Sequence, residues 1–245
     1  MQDINKLNLD ILTTSWEFPA DSILKNYTDH TPPREIFMAC CDEIAKFLTP
    51  YGFKYAASKP KLTIKHGDLT LQLIFSSSHS NMPGSYVCLE LNANLYSAAL
   101  AKLDKNEEYD AKGFILGSMD FTYRVQHGKP EGTVTVELMD GTISDERIEN
   151  KKGATLIRNR NYNLYGLTTD NFIKVLQYIN DTAIEPFLNL NNKDYFIRFI
   201  NNTALGNFGR ETSRLIKYVQ LVHPEPADII EAINQRVLFY KQSPR

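Results

Sequence analysis

Hydrophobic and polar residues alternate with a period of two in two neighbouring stretches of the chain. Leu62 and Ile64 alternate with polar residues in 61–66, and apolar residues occupy every second position of 69–76. The His-Gly-Asp sequence between the stretches suits a tight turn, because Gly67 adopts a positive φ at little cost. The pattern predicts a β-hairpin that has one face in the core and one mostly polar face.

Apolar residues recur at helical spacing in other parts of the chain. Stripes of this kind predict helices over 34–49 and 169–187. Shorter patterns predict helices over 95–104 and 193–204. Apolar stripes on either side of a His-Pro-Glu-Pro sequence predict a helical hairpin within 205–245.

A second hairpin is predicted over 120–139, where FTYRVQ and TVTVEL flank a turn sequence, and a last strand is predicted at 154–158. Because strands arrive in runs and do not alternate with helices, the predicted fold class is α+β. We expect an antiparallel sheet of hairpins with helices on one face, followed by the C-terminal helical hairpin. Three parts follow: a lead-in over 1–30 packed on the body, an α+β domain over 31–204, and the helical hairpin over 205–245 packed on the same body.

The composition is that of an ordinary globular protein. The 245 residues are 42% hydrophobic and 23% charged, and the formal net charge is −2. No global basic field attracts nucleic acid or anionic lipid, and no apolar run approaches the roughly 20 residues that span a bilayer. The three cysteines, Cys40, Cys41 and Cys88, lack CxxC spacing, so we predict buried free thiols and a cytoplasmic location.

No motif in the chain names a reaction. The five histidines include no i, i+4 pair on a helix and no HExxH sequence. The chain also lacks GxGxxG, Walker A and GxSxG sequences. We therefore predict no catalytic residue, no metal ligand and no cofactor. One alternative stays open, namely an enzyme whose site is assembled only in the folded chain.

Two surfaces are candidates for binding a protein partner. One is the polar face of the first hairpin, which carries Lys61, Thr63, Lys65, Thr70 and Gln72. Thr70 and Gln72 are its predicted partner-binding residues. The other consists of acidic loops at 106–110 and 140–149, which would form an electronegative patch suited to a basic partner. The predicted partner-binding residues of these loops are Glu107, Glu108, Asp110, Asp140, Asp145 and Glu146.

Residues 151–165 supply a further alternative. Basic residues interleaved with aromatic residues are typical of single-stranded nucleic-acid binding, and Tyr162 and Tyr165 follow a basic cluster here. The basic residues are Lys151, Lys152, Arg158 and Arg160. Because the cluster is small and acidic residues lie just upstream, protein binding is the preferred interpretation.

The stretch FLTPYGFKYAASKPKLTIKHGDLTLQLIFSSS resembles the start of a bacterial domain of unknown function. Those domains begin with a helix, then Gly-Phe, then a strand with a basic residue, then a strand that ends in a polar cluster. The matching residues here are Phe47, Gly52, Phe53, Lys61 and the strand 71–77. The later FIKVLQYINDTAIEPFL is similar to the helix that closes such domains.

The resemblance covers residues 34–190 and leaves 1–30 and 205–245 outside it. Several members of that family are regarded as immunity proteins of polymorphic toxins. The resemblance therefore implies a cytoplasmic protein that neutralises a toxin by direct binding. Taken with the acidic loops, it makes a basic toxin domain the expected partner. It brings no catalytic residue to this chain.

Overall fold

The computed structural model describes the backbone of residues 2–106, 113–116, 122–126, 131–137, 143–149, 155–159, 161–202 and 208–242. Side chains are described in 2–105, 113–116, 162–200 and 212–238. The helices are α1 (Leu7–Thr13), α2 (Ile23–Asn26), α3 (Pro33–Leu48), α4 (Ala98–Leu103), α5 (Thr169–Ile179), α6 (Glu185–Asn189), α7 (Lys193–Asn202), α8 (Phe208–Val222) and α9 (Ala227–Gln242). The strands are β1 (Lys54–Ala56), β2 (Lys61–His66), β3 (Leu69–Ser76), β4 (Cys88–Ser97), β5 (Phe114–Leu116), β6 (Thr122–Gln126), β7 (Glu131–Glu137), β8 (Ile143–Glu149), β9 (Thr155–Asn159) and β10 (Asn161–Asn163).

The main sheet is antiparallel and has the strand order β1-β2-β3-β4-β10, with β5 also paired to β4. The first predicted hairpin is confirmed, since Leu62 lies opposite Leu73 and Ile64 lies opposite Leu71. Gly67 has a φ of 57° in the turn, as the sequence predicts. Together with the helices, this sheet confirms the α+β fold class.

One face of the main sheet is packed into a continuous hydrophobic core with the helices. Its side chains come from alternate positions of β2, β3 and β4, and all are buried: Leu62, Ile64, Leu69, Leu71, Leu73, Phe75, Leu91, Ala93 and Leu95. The apolar stripes of α3 and α5 belong to the same core. The Trp16 ring joins these two helices, because its centroid lies 5.5 Å from that of Phe47 and 5.7 Å from that of Phe172. The predicted helices over 34–49 and 169–187 therefore share a core with the apolar side of the sheet.

The second predicted hairpin, over 120–139, is wrong in its pairing. The structure pairs β6 with β9 and β7 with β8, each in its own two-stranded sheet. The predicted last strand at 154–158 corresponds to β9. Charged residues in β8 concealed that strand, since hydrophobic alternation is the signal by which a strand is found in sequence. Alternation shows which residues share a face, but it does not determine which strand is the neighbour.

These four strands belong to an insertion at one edge of the main sheet. Strand β4 pairs with β3 along one edge, and β5 and β10 both pair with its other edge in antiparallel orientation. There, β5 lies beside Leu95–Tyr96 and β10 lies beside 88–90. The chain thus leaves this edge after Leu116 and returns to it at Asn161.

Helix boundaries differ from the prediction at two places. The predicted helix over 95–104 begins later, because β4 continues to Ser97, whose Oγ accepts a hydrogen bond from the Leu100 amide and so caps α4. The predicted helix over 169–187 contains a π-helical turn, Asn180–Ile184, between α5 and α6.

At the C-terminal end, α8 and α9 confirm the predicted helical hairpin. At the N-terminal end, Leu7, Ile11 and Phe18 are buried in the common core. The division of the chain into three parts stays a prediction. In the described part of the chain, no helix is both long and apolar enough to cross a membrane.

Candidate binding face of the main sheet

The face of the main sheet that points away from the helices carries a broad set of partly exposed side chains. Paired residues of an antiparallel sheet lie on the same face, so the register defines this surface. We call it the open face and define it by Lys54, Lys61, Thr63, Lys65, Thr70, Gln72, Ile74, Ser76, Glu90, Asn92, Asn94 and Tyr96. None of these residues is buried, whereas their neighbours along each strand form the core.

The centre of the open face carries no charge. Gln72 lies between Thr63 on β2 and Asn94 on β4. One row further along the strands, Ile74 lies opposite Asn92. The centre therefore combines an aliphatic side chain with hydroxyl and amide groups that can both donate and accept hydrogen bonds.

Charged residues lie towards the margins of the open face. Lys54, Lys61 and Lys65 are on β1 and β2, on one side of the centre. Glu90 is on β4, on the other side, where its Oε2 accepts a hydrogen bond from Ser76 Oγ at 3.1 Å. An uncharged centre with charged margins is the arrangement found in protein–protein interfaces.

The loop between β3 and β4 closes one end of this face over Cys88. Asn81 Oδ1 accepts a hydrogen bond from the Cys88 amide at 2.8 Å, and Asn81 Nδ2 donates to Ser77 Oγ at 2.8 Å. The Cys88 thiol is consequently buried, and its burial raises its pKa. All three cysteines are free and buried, as predicted, and burial also raises the pKa of the Cys40 thiol. Protonated, buried thiols are poor nucleophiles.

The charged groups on the opposite side of the sheet have a structural role. The buried carboxylate of Asp104 forms an ion pair with Arg214 on α8 and accepts a hydrogen bond from the Gly113 amide at 3.0 Å. Arg214 Nε also donates to the carbonyl oxygen of Phe114 at 2.8 Å. These contacts attach α8 to β5 at the end of the main sheet. Because both charges are paired with each other and with backbone groups, we assign them to the scaffold.

A second polar cluster lies around the π-helical turn. Gln177 Nε2 donates to Asn8 Oδ1 at 3.0 Å and to Asp181 Oδ1 at 2.9 Å, and so connects α1 to α5. Burial and the nearby Asp181 raise the pKa of Glu185. Among the side chains that the structure describes, no group of three or more His, Cys, Asp or Glu residues could hold a metal ion.

The predicted partner-binding residues lie in different parts of the chain, and the structure describes only some of them. Thr70 and Gln72 lie on the open face, where the sequence placed them. Asp145 and Glu146 lie on β8, in register opposite Thr135 and Val134, and their side chains are outside the described set. The remaining acidic residues of the prediction lie outside the described residues: Glu107, Glu108, Asp110 and Asp140.

The aromatic residues of the predicted nucleic-acid segment are occupied within the protein. Tyr162 pairs with Leu89 on the apolar side of the sheet and is buried. Tyr165 Oη donates to Asp29 at 2.9 Å, and its ring meets that of Tyr27 edge-on. The buried Tyr162 ring is therefore not available for stacking on a base. Lys151, Lys152 and Arg160 lie outside the described residues.

Sequence reasoning missed the β4 part of the open face, which consists of Glu90, Asn92, Asn94 and Tyr96. The alternation that begins at Leu89 continues without interruption to Leu95, and this signal could have revealed these residues. Tyr96 was missed because a helix was predicted from residue 95 onward. Glu90 and Asn92 lie in YVCLELN, which was predicted as a strand with Val87, Leu89 and Leu91 on one face, but its place beside β3 was not predicted.

Comparisons with known proteins add no assignment, since no family model, no curated protein and no solved structure matches this chain.

Proposed function

We propose that this protein acts by binding another protein through its open face. In line with the family resemblance, we propose that it is an immunity protein that neutralises a toxin by direct contact, in the cytoplasm and without turnover of its own. The observation that supports this most strongly is the open face itself. Its partly exposed side chains span four strands, surround an uncharged centre and lie back to back with a fully packed core.

The dimensions of the open face suit the central part of an interface. Strand spacings of about 4.8 Å and residue spacings of about 3.3 Å give it roughly 14 by 20 Å from Lys54 to Asn94 and from Thr70 to Ser76. A standard-sized interface buries about 800 Å² on each partner, which is more than this area. A bound partner must therefore also contact loops around the face.

A binding role also agrees with the described chemical groups. The three thiols are buried. The ring of His66 packs edge-on against Phe187, and the ring of His223 lies against Phe196 with its Nε2 beside the Leu190 carbonyl. None of these groups is arranged as a nucleophile beside a base, which is what covalent catalysis requires.

The acidic loops remain a second proposed surface for the same function. If a basic toxin contacts them, Glu108→Lys would weaken binding by on the order of 2 kcal/mol where the pair is desolvated, and by almost nothing at the margin of the interface. The open-face proposal predicts instead that Thr70→Arg or Gln72→Arg prevents binding, because a long charged side chain occupies the uncharged centre.

A photocrosslinking experiment in the native host tests this proposal. A benzoylphenylalanine placed at Gln72 should capture one predominant protein, and the same group at Gln235, an exposed position on α9, should not. The captured protein is then titrated with purified wild type, Gln72→Arg and Glu108→Lys. The proposal is rejected if position 72 captures nothing while the purified protein turns over a substrate.

A further inference from the structure

The open face is asymmetric in charge. All of its basic residues lie on the two strands at one edge, namely Lys54 on β1 and Lys61 and Lys65 on β2. Its single carboxylate, Glu90, lies two strands away on β4. The space between them is filled by the uncharged residues of β3.

The three lysines form one compact strip. Lys61 and Lys65 are four residues apart on the same strand, which separates them by about 13 Å. Lys54 lies opposite Thr63, midway between them on the neighbouring strand. All three are therefore on one side of the sheet and within reach of a single bound segment.

The lysine strip has no carboxylate opposite it among the side chains that the structure describes. Other lysines of the protein do have such partners, since Lys46 lies 3.6 Å from Glu43 and Lys193 lies 2.5 Å from Asp228. Three neighbouring positive charges repel one another and attract anions, and the attraction decreases as salt screens it.

We infer that the protein partner presents carboxylates to this lysine strip. The inference rests on the proposed function and adds the chemistry of the partner, an acidic surface that lies across β1 and β2 with an uncharged polar part over Gln72. It also reverses the charge that the sequence predicted for the partner. Charge complementarity of this kind gives orientation and speeds association.

An acidic protein fits the open face better than a nucleic acid does. The positive charge is confined to one edge, and a phosphate backbone crossing the face would meet Glu90. The face has one aromatic ring, Tyr96, which contacts Phe114 edge-to-face with centroids 5.5 Å apart. Proteins that bind single strands stack successive bases on several aromatic rings. The net charge of −2 supplies no wider basic field.

The test uses two probes of similar charge, a deca-glutamate peptide and a twelve-residue oligothymidylate. Binding to ¹⁵N-labelled protein is followed by amide chemical shifts at about 50 mM and 300 mM salt. We expect the peptide to shift amides of β1 and β2 at low salt, with at least fivefold weaker binding at high salt. The variant K54E/K61E/K65E should lose at least tenfold in peptide affinity.

Matched variants keep the test interpretable. The control K6E/K25E/K102E changes the same number of exposed lysines away from the open face and should retain peptide binding within about threefold. The neutral variant K54Q/K61Q/K65Q should also lose binding, and its unfolding curve should coincide with that of the wild type.

Three outcomes would overturn the inference: no peptide binding at low salt, equal loss in the control variant, or tighter binding of the oligothymidylate at the same strip. The proposed function is judged separately. A crosslinked protein at Gln72 together with indifference to the lysine variants would leave the binding role standing and reject the acidic partner. Peptide binding at the strip without any crosslink at Gln72 would keep the strip as a carboxylate-binding site and reject Gln72 as part of the contact surface.

Discussion

The two faces of the main sheet share the strands β2, β3 and β4 and differ in burial. On one face, alternate residues of β2, β3 and β4 are fully buried against the helices. On the other face, the residues between them retain exposure and include Lys61 and Lys65 of the lysine strip and the uncharged centre. Because neighbouring residues of one strand serve the two faces, stability and binding can be separated by substitutions one position apart.

The largest expected difference in unfolding free energy is between a charged residue of the packed side and a charged residue of the open face. Removal of one partner of a buried ion pair leaves the other charge without compensation, so Asp104→Ala should lower the free energy of unfolding by about 3–5 kcal/mol. Lys61→Ala on the open face should change it by less than about 0.5 kcal/mol. Urea unfolding monitored by circular dichroism measures the unfolding free energies of both variants. Similar values for the two variants would show that the Asp104–Arg214 pair does not support the scaffold.

The next largest expected difference in unfolding free energy is between two adjacent positions of β3, one in the core and one on the open face. Leu71→Ala removes a fully buried side chain and should cost about 2–5 kcal/mol of unfolding free energy. Gln72→Ala should cost less than about 0.5 kcal/mol, since its side chain makes no core contact. Equal destabilisation by both variants in urea would mean that the open face is covered in solution.

A smaller, pH-dependent effect is expected on the packed side. Burial lowers the pKa of His223, which is partly offset by its hydrogen bond to the Leu190 carbonyl oxygen. A histidine whose pKa is lower in the folded state stabilises the fold above its unfolded pKa of about 6.5, and this contribution is lost as the pH falls. Unfolding free energy should therefore decrease between pH 7 and pH 5.5.

The variant for that measurement is His223→Gln. The decrease should be smaller in His223→Gln than in the wild type. A wild-type unfolding free energy that stays constant over this pH range would contradict the assignment of this effect to His223.

Sequence reasoning succeeded where local pattern determines structure and failed where distant contacts do. The β2–β3 hairpin was predictable because a tight turn and two alternating stretches fix its register. The pairing of β6 with β9 was not, because it depends on contacts between residues 29 to 37 positions apart. The helix predicted over 95–104 began later for a similar reason, since pairing with β3 extends β4 to Ser97.

The candidate binding face, like the fold, was predictable only where it lies within one hairpin. Alternation alone placed Thr70 and Gln72 on the polar face, because they lie within the hairpin. The contribution of Asn92 and Asn94 required the register between β3 and β4, which only the fold supplies. The charge contrast between the lysine strip and Glu90 likewise appears only when four strands are placed side by side.

The affinity of the crosslinked partner for Gln72→Arg tests the central claim most directly, provided that stability is measured on the same preparation. We predict a loss of at least a hundredfold in affinity, which corresponds to about 2.7 kcal/mol, together with an unfolding free energy within about 0.5 kcal/mol of the wild type. An unchanged affinity in a folded Gln72→Arg protein would contradict the assignment of the open face as the binding surface.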